Sequence, residues 1–157
     1  MPETLLARLS FDAAVRALDL QERSVEQIRG RAGILLATSS VTASFLGAQT
    51  IQRTAGLGTL GTLALISLVV SIGLFVYVLL PKEGFVFGLS GPKTYESLFE
   101  FQGEEEEVRR RLIYWLETFW QSNQTKIDAL SRYFAAAALA LMLQLVFWAV
   151  ALGSTIQ

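Results

Sequence analysis

The chain has no cysteine, no histidine and only three prolines among 157 residues, and long stretches of it carry no charge of either sign. Without cysteine there is no disulfide framework and no thiol chemistry, and without histidine the commonest transition-metal ligand and the usual general base are missing. Most enzyme classes lose their working groups this way, so no catalytic, cofactor or metal site is expected. Thirteen basic and fourteen acidic residues leave a net charge of -1, which gives no broad basic field for nucleic acid. The first 31 residues hold five arginines but no continuous apolar core, so no cleavable signal peptide is expected.

What is present is apolar. Hydrophobic residues make up 52% of the chain and the mean hydropathy is +0.44, too high for an ordinary soluble domain of this length. Windows 32–52, 54–81 and 133–157 contain no Asp, Glu, Lys or Arg. A helix needs about 20 mostly apolar residues to cross the hydrocarbon of a bilayer, and each window supplies them. The expected fold class is therefore all-α: an integral membrane protein with three transmembrane helices, a hairpin plus one, and amphipathic cytoplasmic helices.

The second window is the most apolar, with Thr62, Ser67 and Ser71 as its strongly polar side chains between Leu60 and Leu80. The third carries one amide, Gln144, in a run rich in Ala and Leu. The first is the most polar, because Thr38, Ser39, Ser40, Thr42, Ser44, Gln49 and Thr50 interrupt it. Charge bias supports counting it as a span. With three crossings and the N-terminus inside, twelve basic residues are cytoplasmic and only Arg53 is outside, as the positive-inside rule favours. With two crossings the bias vanishes. The expected location is the cell inner (plasma) membrane, multi-pass, N-terminus cytoplasmic.

The segments follow as a cytoplasmic amphipathic helix over 1–31, spans over 32–52 and 57–80, a connector over 81–103, a second cytoplasmic amphipathic helix over 104–132 and a last span over 133–152. Val15, Leu18, Val25 and Ile28 form the apolar face of the first helix. Gly30 and Gly33 suggest a kink, and Gly56, Gly58 and Gly61 a tight turn with close helix approach. The connector is expected to hold a short amphipathic turn near Tyr95 to Phe101 at the headgroups, with Ser97 and Glu100 spaced as a capping box. From Glu104 to Leu152 there is neither Gly nor Pro, which suits one helix roughly 70 Å long. Tyr77, Tyr133 and Trp148 are placed as interface anchors.

Three features could carry function. Thr38, Ser39, Ser40, Thr42, Ala43, Ser44 and Gly47 form a candidate pore or helix-packing face. Ser39, Ala43 and Gly47 make one ladder of small side chains, and Ser40, Ser44 and Ala48 its neighbour. Small residues at this spacing let helices approach closely in lipid, so tight packing and a water path between protomers are both open. Gln144 is expected to hydrogen-bond another helix, within the protomer or across an interface, because an unpaired amide inside a bilayer is costly. Val108, Leu112, Trp115 and Phe119, with Leu116, form a cytoplasmic stripe that needs a partner. Glu104 to Glu107 read as a solvated helix start paired with Arg109, Arg110 and Arg111; consecutive helical carboxylates do not converge on a cation. Asn123-Gln124-Thr125 matches a glycosylation acceptor but lies on the cytoplasmic side in this topology.

Two stretches resemble the small transmembrane effectors of bacterial cyclic-nucleotide anti-phage systems, the Pycsar-type and SLATT-like membrane effectors. One is Gln27-Ile-Arg-Gly-Arg-Ala-Gly-Ile-Leu-Leu36; the other is Asn123-Gln-Thr-Lys-Ile-Asp-Ala-Leu130 followed by Tyr133 and Phe134. The resemblance implies a non-enzymatic effector that is held quiet, is triggered by a nucleotide signal or a soluble sensor protein, and then damages the membrane. The expected function is a homo-oligomeric effector that perturbs or permeabilises the inner membrane. The alternative is a membrane-anchored assembly subunit that recruits a soluble partner through its cytoplasmic helices. The expected partners are the lipid bilayer, further copies of the chain, and a nucleotide or sensor, but no nucleic acid.

Overall fold

The computed structural model describes residues 3–54, 58–89, 91–99 and 104–153. They form four helices, α1 (Glu3–Thr54), α2 (Thr59–Leu79), α3 (Gly91–Phe99) and α4 (Glu105–Gly153), and no strand occurs among the described residues. The fold is all-α. Helices α1, α2 and α4 are each long and apolar enough to cross a membrane, with α1 the least apolar. The chain divides into two compact units, Met1–Glu26 with Lys82–Asp128, and Gln27–Pro81 with Ala129–Gln157. Both α1 and α4 contribute to both units; α4 is the single long helix expected from Glu104 onward, and in α1 the stretches assigned to 1–31 and 32–52 belong to one helix.

In the first unit the opening halves of α1 and α4 run parallel. Ala7 shares a recess with Glu105, Glu106 and Arg109, and further along Gln21 donates from Nε2 to the Trp120 carbonyl at 3.0 Å and to Gln124 Oε1 at 3.1 Å. Leu18, Val25, Leu116 and Ile127 are buried beside the polar Gln21 and Asn123. Three acidic residues occupy the first turn of α4, where the helix dipole favours them, and Glu105 bonds Arg109 one turn on. Val15 leaves the apolar face it was assigned to, being exposed. From Leu18, steps of three and four residues reach the buried Gln21 and Val25, whereas Val15 lies on the other side of Leu18, about 120° around the helix from Gln21.

The connector after α2 is clamped to α4. The Asn123 side chain acts as a peptide mimic: its Oδ1 accepts from the Val86 N–H at 3.1 Å while its Nδ2 donates to the Val86 carbonyl at 2.8 Å. One turn away, Lys126 donates to the Gly84 carbonyl and lies 5.6 Å from the Phe85 ring centroid. The Phe85 and Phe87 rings stack at 5.4 Å. Gly84 sits at φ +86, a left-handed conformation that costs a residue with a Cβ about 1–2 kcal/mol, which explains glycine there.

In the second unit, α2 runs antiparallel to both neighbours. Ser71 donates to the Ala137 carbonyl at 3.1 Å. The rings of Phe75 and Phe134, and of Tyr77 and Tyr133, meet edge to face at 6.2 and 4.7 Å. Arg29 donates to the Leu80 carbonyl at 3.4 Å, placing a cation at the negative end of α2. Gly47 faces the Trp148 ring. Along α2 the buried positions are Gly61, Ala64, Ser71, Phe75 and Val78, and along α4 they are Leu130, Ala137, Leu141, Gln144, Trp148 and Ala151. Steps of three, four and seven residues are the heptad spacing of knobs-into-holes packing.

Helix α1 passes through Gly30 and Gly33 without a break, so the kink expected there does not interrupt the helix. Both glycines have open space around them. Gly56 and the middle of the turn from Arg53 to Gly58 fall outside the described residues, as do Phe101 and the pairing of Ser97 with Glu100. Gly61 is buried, consistent with close helix approach.

Candidate functional site

The seven residues of the candidate pore or packing face do not share one side of α1. Ser39 and Ala43 are buried, at 1% and 9% exposure, together with Ala32 and Thr50. Gly47 is half-buried, and a Cβ added to it would lie 3.7 Å from the Trp148 ring. This ladder packs inside the second unit. Ser40, Ser44 and Ala48 are exposed, while Thr38 is exposed and Thr42 half-buried. At about 100° per residue, Thr38 and Thr42 lie roughly 160° around the helix from Ser40 and Ser44. Exposed Ile34, Val41 and Phe45 stand between those two flanks. A single hydroxyl-lined stripe is therefore replaced by an inner packing ladder and two separate polar edges.

The hydroxyls bond their own helix. Thr38, Ser40, Thr42 and Ser44 donate to the carbonyls of Ile34, Leu36, Thr38 and Ser40, each four residues back. Ser39 donates to Leu36 three residues back. A hydroxyl bonded this way carries no unpaired donor, so it tolerates hydrocarbon or water without reorganising the backbone.

Gln144 finds no partner within the described part of the protomer. It is fully buried inside the second unit, and neither amide atom has a hydrogen-bond partner among the described residues. One turn further along α4, Trp148 is also fully buried, and its Nε1 has no partner among the described residues. Trp148 is thus a core residue against Gly47, not the interface anchor expected. Tyr77 and Tyr133, at 41% and 43% exposure, keep partly exposed rings that also pair with each other. Because the indole lies on the Gly47 backbone, Gly47→Ala should be tolerated, its Cβ falling at ordinary contact distance. Gly47→Val should lower stability by about 1 kcal/mol through overpacking, measurable as a lower thermal midpoint in detergent.

In the first unit, Val108, Leu112, Trp115 and Phe119 are half-buried and Leu116 is 1% exposed. The stripe is thus partly covered within the chain. Among the described residues no group of three or more Asp or Glu side chains is arranged to hold a metal ion. Asn123, which in the sequence belongs to a glycosylation signal and to one of the two resembling stretches, is 1% exposed and committed to Val86. Arg29 and Lys126 likewise serve helix-end and loop carbonyls that no local sequence pattern announces. Comparison with protein-family models, with curated proteins and with solved structures finds no match.

Proposed function

We propose that the chain is a non-enzymatic effector of the inner membrane, N-terminus cytoplasmic, which oligomerises and permeabilises the bilayer as the Pycsar-type and SLATT-like effectors do. The observation that carries this reading is the outward side of α1. The least apolar of the three spans presents Ser40, Ser44 and Ala48 at exposed positions, a small-residue ladder of the kind that admits a second helix closely in lipid. Its hydroxyls are already bonded to α1, so this edge can move from lipid to a wet lining at little cost. The trigger is a nucleotide or a soluble sensor acting on the first unit. Arg29 and the other cytoplasmic basic residues support the orientation through the twelve-to-one charge bias.

The test is dye release from liposomes holding the purified protein, with mass measured in detergent. Wild type is expected to oligomerise and leak when cyclic nucleotides are supplied, and Ser40→Leu with Ser44→Leu to reduce leakage at least tenfold. Complete dye retention at high protein density, both with cyclic nucleotides and with a host cytosolic fraction supplied as the source of a sensor protein, rules the reading out. Half-burial of Val108, Leu112, Trp115 and Phe119 favours one second reading, an anchored subunit that recruits a soluble protein through the open edge of that stripe. In that case leakage is absent, and Trp115→Glu abolishes partner recruitment while the serine substitutions do nothing.

A further inference from the structure

Helix α3 has a two-sided character that the permeabilising role does not explain. Thr94, Leu98, Tyr95 and Phe99 fall within an arc of about 140° around it, and Glu96 lies outside that arc. Thr94 and Leu98 are half-buried and border a shallow recess closed by Leu89. Tyr95 and Phe99 are 65% and 71% exposed. Their rings lie 5.5 Å apart and tilted by 46°, so they pack on each other and make one continuous aromatic surface.

We infer that α3 is an in-plane membrane anchor whose Tyr95 and Phe99 rings insert at the lipid headgroup boundary. Nine residues are too few for a helix to persist in water without a surface to bury its apolar side. Tyrosine, with an apolar ring and a polar tip, favours the interface between hydrocarbon and water. The tether fixes which surface is in reach: α2 ends at Leu79 and α3 starts at Gly91, so the chain between them spans at most about 40 Å. A protein partner is the poorer fit. Two aromatic side chains on one short helix fall well below the roughly 800 Å² per partner of a stable protein interface, whereas an interfacial helix needs only to sink its apolar side about 5–10 Å. The inference holds whether or not the protein permeabilises membranes.

The absence of cysteine makes site-specific labelling direct. Spin labels on Tyr95→Cys, Phe99→Cys and Glu96→Cys, each in the full chain in liposomes, report collisions with oxygen, which partitions into lipid, and with a water-soluble nickel chelate. Labels at 95 and 99 are expected to favour oxygen, and the label at 96 nickel. Equal access to nickel at all three positions overturns the inference. So does shielding of 95 and 99 from both reagents, which would mean a protein covers them. A second variant guards against the labels themselves perturbing α3: with Tyr95→Ser and Phe99→Ser, the label at 96 should gain mobility severalfold, and unchanged mobility counts against the anchor.

Discussion

Asn123→Leu is expected to destabilise the protein by about 2–3 kcal/mol and to open the segment Lys82–Leu89 to protease. The substitution nearly conserves volume, so packing around the buried position survives and the effect isolates the amide. What is lost is a two-point pairing with Val86, 3.1 Å on the N–H side and 2.8 Å on the carbonyl side. Each peptide group left facing an apolar side chain costs about 1–3 kcal/mol when it stays buried. Val86 is 36% exposed, so water recovers part of that, which sets the total toward the lower end. Asn123→Asp should destabilise at least as much as leucine, because the carboxylate is buried at a position 1% exposed and turns an acceptor oxygen toward the Val86 carbonyl that Nδ2 serves, although it still accepts from the Val86 N–H. Thermal unfolding in detergent and timed proteolysis followed by mass spectrometry read both effects. If Asn123→Leu unfolds at the wild-type midpoint, the clamp contributes nothing and the connector is held by Lys126 and Phe85 instead.

The spans were legible because lipid demands uncharged length, and three windows without charge supplied it. The residues that organise the interior were not. Gln21, Ser39, Thr50, Ser71, Asn123 and Gln144 are all buried polar side chains, and they stand at core positions where periodicity arguments look for apolar residues. On α2 and the last part of α4 the outward residues are apolar too, among them Ile66, Val69, Leu139 and Met142. Inside and outside therefore share one composition there, and hydropathy has no period to reveal. The signal that could have separated them is size. Gly61, Ala64 and Ser71 on α2, and Ala32, Ser39 and Ala43 on α1, recur at three-, four- and seven-residue steps, tracing the close-approach seam that small residues permit.

The same size argument divides the serine and threonine set of α1. Ser39 and Ser40 head neighbouring small-residue ladders of one candidate face, yet adjacent helical residues differ by about 100°, and the first is buried while the second is exposed. Val15 illustrates a related point, because it fits the mixed three-, four- and seven-residue spacing of the apolar residues but not one fixed register. The strict seven-residue series Leu18, Val25 and Ala32, with Gln21 three residues after its first member, leaves Val15 out. A buried glutamine at such a position has a recognised use, since a polar residue within a heptad core fixes register at some cost in stability. Its bonds to Trp120 and Gln124 give that register a physical basis.

Gln144→Leu is expected to raise stability by about 2 kcal/mol, the opposite sign to the Asn123 change. Both amide atoms are buried without partners among the described residues, and an unsatisfied buried group costs about 1–3 kcal/mol. Leucine fills nearly the same volume and adds to a layer that already contains Leu141 and Trp148. The gain is held down because a helix unfolded within the bilayer also finds polar partners, which narrows such differences to about 1 kcal/mol in some membrane proteins. A rise in the thermal midpoint in detergent or lipid discs checks the sign. A fall would mean that the amide is satisfied by water or by another copy of the chain. The functional consequence separates these cases further. An amide kept unpaired in the protomer weakens the resting packing of α4 against its neighbours, and helices that repack during oligomerisation can offer it a partner across the new interface. If that exchange drives the proposed permeabilisation, Gln144→Leu should be more stable and should lose dye release, whereas Gln144→Asn, which keeps an amide, should retain part of it. A leucine variant that is more stable and leaks like wild type would confine Gln144 to helix register and leave the outward edge of α1 to account for assembly.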